Sequence, residues 1–309
     1  MTFDYMLDLF PLMAAVLAAA TCGLLGNFLV LRRQSLMGDA ISHAVLPGLV
    51  IAFILSSDRS PMLMFAGATV AGVVTVVLIE LVKKLGRVEP GAAMGVVFSV
   101  MFALGVLLIE GAAARHVDLD AECVLYGQLE TLMWFEAPTT FAGLWTWDTV
   151  AAMPRQVTTL LAMFLASLAF VALLFKELRL AAFDPALATA QGIHAGFMHY
   201  LLMLVVAAAT VASFEAVGSI LVIAMLIAPA ATARLLTDRL LTQIAVSLAV
   251  ALATGTIGYL AATAVPGWFG LESVNAAGSM TVVAGALVVL AAFLSPSHGL
   301  IARALRRRA

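Results

Sequence analysis

Charged side chains are scarce in this sequence. Asp, Glu, Lys and Arg make up only 11% of its 309 residues, whereas 63% are hydrophobic, and the mean hydropathy is +1.10. A water-soluble domain carries about 25% charged residues, and a single core cannot bury this much apolar surface. We therefore expect an all-α integral membrane protein, a polytopic bundle of helices in which residues 1–309 form one transmembrane domain.

Several catalytic and redox motifs are also absent. The sequence has no Gly-Lys dipeptide and hence no P-loop, no His followed by Glu and hence no HExxH helix, and no GxSxG serine motif. Its two cysteines, Cys22 and Cys123, are far apart and suggest neither a disulfide nor a CxxC site. We predict that the chain is not an enzyme, holds no permanently bound cofactor and binds no nucleic acid.

Nine apolar runs predict membrane-spanning helices, since a helix needs about 20 apolar residues to cross the hydrocarbon. They are residues 11–31, 37–56, 62–82, 91–109, 157–175, 200–213, 218–233, 241–262 and 278–295. The sixth and seventh are short and are joined by SFEAVG, so they can also form a tilted or partly re-entrant hairpin. Eight or ten spans are therefore alternatives to nine.

The basic residues are divided unequally between the two sets of loops. Of the 16 basic residues, 13 follow odd-numbered spans, and only Arg59, Arg115 and Arg155 lie on the opposite side. Because Lys and Arg are enriched in cytoplasmic loops, we predict an external N-terminus and a cytoplasmic C-terminus. Two longer connections follow from this orientation, an outer loop at 110–156 and a cytoplasmic loop at 176–199.

The segment RRQSLMGDAISHAVLPG, residues 32–48, places two ionisable groups at the start of the second span. Asp39 and His43 are spaced i, i+4, so they share one face of a helix. A carboxylate and an imidazole can together bind a divalent cation, and ionisable groups within spans are costly and usually mark a transport path. Pro47 lacks an N–H and so leaves the His43 carbonyl unpaired, which offers a further oxygen. The alternative is a structural helix entry, with Asp39 near free N–H groups and His43 hydrogen-bonded inside the bundle.

Glu215, in VASFEAVGSI, is another acid in an apolar setting. It could line a path, but we favour a cap on the short hairpin.

Three segments resemble the membrane permeases of ABC importers for manganese, zinc and iron. They are LRRQSLMGDAISHAVLPGLVIAF, DLDAECVLYGQLE and VGSILVIAMLIAPAATARLL. The similarity runs through most of the chain. It implies a type II ABC-importer-like permease, a multi-pass protein of the cytoplasmic (inner) membrane of a bacterium, which transports a divalent ion of manganese, zinc or iron.

The resemblance also implies partners and residue roles. A second permease subunit, identical or paralogous, would join this chain, together with cytoplasmic ATP-binding subunits and an extracytoplasmic metal-binding protein. Asp39 and His43 would line the ion path at the permease dimer interface. The inner segment FDPALATAQGI predicts a short helix with Asp184 as its N-cap, Pro185 at its first position and a glycine stop at Gly192. The resemblance implies that this helix docks in a groove of the ATPase, with Asp184, Pro185, Ala188, Gln191 and Gly192 as its coupling residues. An ordinary amphipathic linker helix is the alternative for this segment.

Two other functions also fit the sequence. The first is an ion-gradient-driven secondary transporter that uses Asp39 and His43 as ligand and proton relay. The second is a membrane scaffold without transport, in which both residues would tolerate substitution.

Overall fold

The described part of the chain is built from α-helices alone. The computed structural model describes residues 5–56, 61–113, 129, 132, 153–268, 270, 274–295 and 299, and within these ranges it contains no β-strand. The helices are α1 (Tyr5–Leu31), α2 (Met37–Ser56), α3 (Pro61–Gly86), α4 (Pro90–Ala113), α5 (Arg155–Leu173), α6 (Phe175–Phe183), α7 (Pro185–Ala190), α8 (Ala195–Leu236), α9 (Leu240–Trp268) and α10 (Ala276–Leu294). The predicted all-α class is confirmed.

Eight helices in the described ranges are long and apolar enough to cross a membrane. The predicted sixth span is the first half of α8, Ala195–Ser219, which we call α8a, and the predicted seventh is the shorter helix Leu221–Leu236, which we call α8b. Each of the nine predicted runs therefore corresponds to a helix. The predicted sixth span, 200–213, is too short, because His199 before it and Glu215 after it interrupt the apolar run but not the helix.

The chain reverses its direction at Gly218. A straight α-helix of 42 residues would be about 63 Å long. However, His199 near the start of α8 and Gln243, just beyond its end, both contact the last part of α1, through Arg32 and Asn27 respectively. Gly218 has φ 76° and ψ 168°, a backbone conformation open only to glycine. The predicted hairpin is present, but its turn is this single residue, since the rest of SFEAVG is helical.

The helix α1 lies at the centre of the bundle. It packs against α5, α8 and α9, and α2 packs against α3, α4 and α8. Between α1 and α9, the Ser247 hydroxyl donates to the Gly23 carbonyl at 2.9 Å, and the Gln243 amide donates to Asn27 Oδ1 at 3.0 Å. Polar groups paired across two helices replace the water that a bilayer cannot supply. The element that carries Asp39 and His43 is therefore held on several sides.

Candidate functional site

Asp39 and His43 are in contact at the beginning of α2. The helix begins at Met37, whose N–H donates to the Gln34 carbonyl at 3.0 Å in the preceding turn. Asp39 is in the first turn, and its Oδ1 lies 3.3 Å from Nε2 of His43. The His43 and Asp39 side chains are 23% and 35% exposed, so an ion can reach both. The predicted shared face is therefore present.

Two aromatic rings of α4 also pack against the imidazole of His43. The ring centroid of Phe98 is 4.8 Å from that of His43, and Phe102 meets it edge-on at 5.4 Å. Sequence reasoning did not find these phenylalanines. Their i, i+4 spacing on α4 repeats that of Asp39 and His43, and this was the available signal.

The backbone beneath Asp39 is fixed by close packing. A Cβ atom on Gly38 would collide with the Leu226 side chain of α8b, and one on Gly26 would collide with the Leu226 backbone. The Ser42 hydroxyl donates to the Gly38 carbonyl at 2.9 Å. The hairpin α8a–α8b therefore sets the position of the first turn of α2, and with it the position of Asp39.

One chain offers too few ligands for a tightly held transition metal. No group of three or more His, Cys, Asp or Glu side chains that could hold a metal occurs in the part of the chain that the structure describes. Protein sites for such ions commonly use four ligands. Asp39 and His43 supply two, and the unpaired His43 carbonyl above the buried Pro47 stays a prediction as a third.

Residues 184–192 form the expected capped helix. Oδ1 of Asp184 accepts from the N–H groups of Ala186 and Leu187, at 3.1 and 3.0 Å, and Pro185 occupies the first helical position. Gln191 is the C-cap, and Gly192 follows with φ 81°, which favours glycine. This helix, α7, is therefore short and sharply bounded.

The two faces of α7 have different environments. Ala188 is fully buried against its own chain, whereas Leu187 is 44% exposed. A cavity of about 610 Å³ adjoins Leu187 and Asp184 and is lined further by apolar residues of α6 and α9 and by Arg179 and Arg239. Any partner would therefore meet Leu187 and its exposed neighbours, and Ala188 can act only by seating the helix.

A comparison of the sequence with known protein families identifies the family of this chain. The sequence matches the profile of the ABC 3 transport family over residues 3–136 and 148–298. The chain belongs to the ABC 3 transport family. It is accordingly a membrane permease component of an ATP-binding-cassette transport system, as its resemblance implied.

Relatives support this assignment along the whole chain. The manganese transport system membrane protein MntD of Bacillus subtilis (strain 168) is 38% identical over 291 residues, which cover 94% of this chain and 93% of MntD. The zinc transport system membrane protein TroD of Treponema pallidum (strain Nichols) is 39% identical over 295 residues, 96% of this chain and 76% of TroD. A solved structure of PsaBC from Streptococcus pneumoniae in complex with Fab superposes with a TM-score of 0.74 at 30% identity, covering 97% of this chain and 95% of that one.

Glu215 of this ABC 3 permease has a partner across the bundle. Its Oε2 lies 3.6 Å from Nη2 of Arg155 in the first turn of α5, and the two side chains are 33% and 40% exposed. Glu215 is inside α8a, one turn before Gly218, and is not at a helix N-terminus. It ties α5 to the hairpin and is not a cap in the structural sense.

A second ionisable cluster joins the ends of α1, α3 and α8a. Arg32 donates to Nδ1 of His199 at 3.0 Å, His199 Nε2 lies 3.1 Å from Oε1 of Glu80, and Lys83 donates to the same oxygen at 3.0 Å. Glu80 is almost fully buried. This cluster could not be predicted from the sequence, because its members are 167 and 119 residues apart along the chain.

Proposed function

We propose that the chain carries a divalent transition-metal ion, manganese or zinc, inward across the cytoplasmic membrane of a bacterium, with Asp39 and His43 as ligands. The observation that carries the proposal is the contact between this carboxylate and this imidazole, both partly exposed on one apolar membrane helix. Such a pair suits first-row divalent ions. Relatives named for manganese and for zinc are consistent with it. Iron, which the sequence also allowed, has no such support.

The ion path needs a second permease subunit. Because one chain supplies two side-chain ligands, two chains facing each other at α2 would supply up to four, enough to hold an ion briefly at a gate. The second subunit can be identical or paralogous. This arrangement also explains why the pair is only half-buried in a single chain.

The ion must be released as well as bound, so energy has to change this geometry. The chain has no nucleotide-binding motif, and we propose that separate cytoplasmic ATP-binding subunits dock at α7 and a metal-binding protein delivers the ion from outside. A movement of α7 would reach α8 and the hairpin, since α7 packs against α8. Leu226 on α8b then contacts Gly38 beside Asp39. This gives a continuous packed route from the ATPase to the ligands.

The test is metal uptake by the reconstituted transporter with all its partner subunits. Asp39→Asn removes the charge at nearly constant shape, and His43→Ala removes the ring nitrogens. We expect both to abolish uptake while assembly with the ATPase is retained, and Glu215→Gln to reduce uptake much less. Normal uptake by either site variant would show that the pair is structural. Uptake by this chain without any ATPase would instead support the gradient-driven transporter.

A further inference from the structure

A basic cavity lies beside the ionisable cluster at the ends of α1, α3 and α8a. Its volume is about 450 Å³, and its lining includes four cationic side chains, Arg32, Arg33, Lys83 and Lys84, against a single carboxylate, Glu80. Pro185, the first residue of α7, also lines it. The cavity is therefore strongly positive and adjoins the cytoplasmic loop.

One oxygen of this carboxylate, Oε1 of Glu80, is already bonded to both His199 and Lys83 inside the cluster. An arginine side chain can only donate hydrogen bonds, so Nδ1 of His199 must be the acceptor from Arg32, and Nε2 must carry the proton that it donates to Glu80. His199 is then neutral. Glu80 neutralises Lys83, to which it is bonded, and Arg32 is left without a carboxylate partner in the described part of the chain.

The charge of Arg32 is therefore uncompensated. Its Nε and Nη2 atoms are buried and have no hydrogen-bond partner among the described residues. Burial also lowers the pKa of this guanidinium from its ordinary value, because the charged form loses hydration. A largely buried cation without an anionic partner is costly, so an anion in the adjoining cavity would stabilise this end of the bundle.

Two other cations of the cavity can reach such an anion directly. Arg33 is exposed and has no ion pair within the described residues. Lys84 is also exposed, and its Nζ donates to the Tyr200 hydroxyl at 3.2 Å, which leaves two of its three N–H groups free. Both residues line the cavity, so an anion bound there can contact both side chains.

Exposed apolar side chains lie on the membrane side of Lys84 and Tyr200. One turn before Lys84 on α3 lies Leu81, 50% exposed, and one turn after Tyr200 on α8a lies Leu204, 45% exposed. Each of these leucines lies one turn further from the end of its helix than Lys84 or Tyr200 does. A basic cavity next to exposed apolar helix faces has the chemistry of a phospholipid site, and basic pockets between transmembrane helices bind anionic head groups.

We propose that this cavity binds the phosphate group of an anionic phospholipid, held by Arg33 and Lys84, with the acyl chains along Leu81 and Leu204. The bound lipid offsets the positive charge of Arg32 and fastens the ends of α1, α3 and α8a beside the start of α7. It thus stabilises the helix ends that lie beside the start of α7. The site does not depend on which ion is transported.

Native mass spectrometry of the assembled transporter in detergent tests the proposal. The probes are phosphatidylglycerol, phosphatidylcholine and inorganic phosphate, each added separately. We expect phosphatidylglycerol to be retained in preference to phosphatidylcholine, and Arg33→Gln and Lys84→Gln each to weaken its retention about fivefold, the usual contribution of one basic residue near an anionic lipid. Lys176→Gln is the matched control, because Lys176 is an exposed lysine of the same loop region outside the cavity, and it should retain the lipid fully.

Retention that is the same in all three variants, or no preference over phosphatidylcholine, would overturn the proposal. Binding of inorganic phosphate that depends on Arg33 and Lys84, without retention of the lipid, would identify a free-anion site and reject the lipid. If Arg33→Gln and Lys84→Gln both lose the ATPase in detergent that contains no lipid, the cavity binds a carboxylate of the partner protein and not a lipid. A photoactivatable phosphatidylglycerol gives a readout without any variant, since it must crosslink near Arg33 or Lys84 in the wild-type protein.

Discussion

The imidazole of His43 is oriented by contacts from two helices. Asp39 contacts Nε2 from within α2, and Phe98 and Phe102 contact the ring from α4. An unsupported histidine would adopt several rotamers, and only some of them would bring its nitrogen to the ion. With His43 as the proposed ligand, the two phenylalanines would act through it as positioning residues.

Phe98→Leu should weaken ion binding without changing assembly. An aromatic pair contributes about 0.5–1.5 kcal/mol beyond its buried area, so we expect the half-saturating metal concentration for uptake to rise about two- to tenfold, with the maximal rate less affected. Phe293→Leu is the control, because Phe293 is a half-exposed phenylalanine of α10 far from the pair in sequence. An unchanged half-saturating concentration for Phe98→Leu would show that α4 does not orient the ligand.

The helix α7 combines a rigid boundary at each end with one exposed large apolar residue. Asp184 caps the N-terminus and Gly192 ends the helix, while Leu187 projects beside the cavity between α6 and α9. An N-cap contributes about 1 kcal/mol, which matters in a helix of only six residues. Asp184→Ala should therefore weaken coupling mildly.

Leu187→Asp should prevent docking of the ATPase. A charge placed in an apolar contact is costly to bury, so pull-down of the ATPase should fall severalfold and uptake should fall with it. Thr189→Asp introduces the same charge on another exposed face of α7 and should retain the ATPase. Ala188→Trp should also disturb coupling, but by displacing α7 from its own chain, because Ala188 is buried there. If Leu187→Asp binds the ATPase as well as the wild type does, this loop is only a linker.

The reversal within α8 depends on one glycine. Gly218→Ala forces a side chain into a conformation that costs about 1–3 kcal/mol, so we expect a lower thermal unfolding temperature and reduced uptake. Gly95→Ala provides the control, because a Cβ atom there meets nothing within 4 Å and alanine favours the helix. If both variants unfold at the same temperature as the wild type, the turn at Gly218 is not under conformational constraint.

At the scale of the whole molecule, the basic ends of α1 and α3 lie together, as the unequal division of basic residues requires. Which side of the membrane this end faces is a prediction, and single cysteines can test it. Ala186→Cys should react with an impermeant thiol reagent only after lysis, whereas Val274→Cys, between α9 and α10, should react in intact cells. Labelling of position 186 from outside would reverse the orientation.

Sequence alone predicted the spans well, because hydropathy reports directly on the solvent of each helix. It also predicted the contact of Asp39 with His43 and the caps of α7, since these depend on spacing within one helix. It could not predict the contacts of Phe98 with His43, of Leu226 with Gly38 or of Glu80 with His199. Each of these joins distant helices, and apolar periodicity does not specify which helices pack together.

The short helix α8b is largely covered by the rest of the bundle. Only Leu236 of its residues is exposed among those whose side chains the structure describes. Its 16 residues span about 24 Å, less than the roughly 30 Å of a bilayer's hydrocarbon core. A lipid-facing helix of this length would thin the bilayer around it, but half of the residues of α8b are buried and most of the others are only partly exposed. The helices that meet a mismatch in bilayer thickness are therefore mainly α3, α4 and the other outer helices. A change of lipid acyl-chain length should tilt those helices, while the distance between Leu226 and Gly38 stays the same.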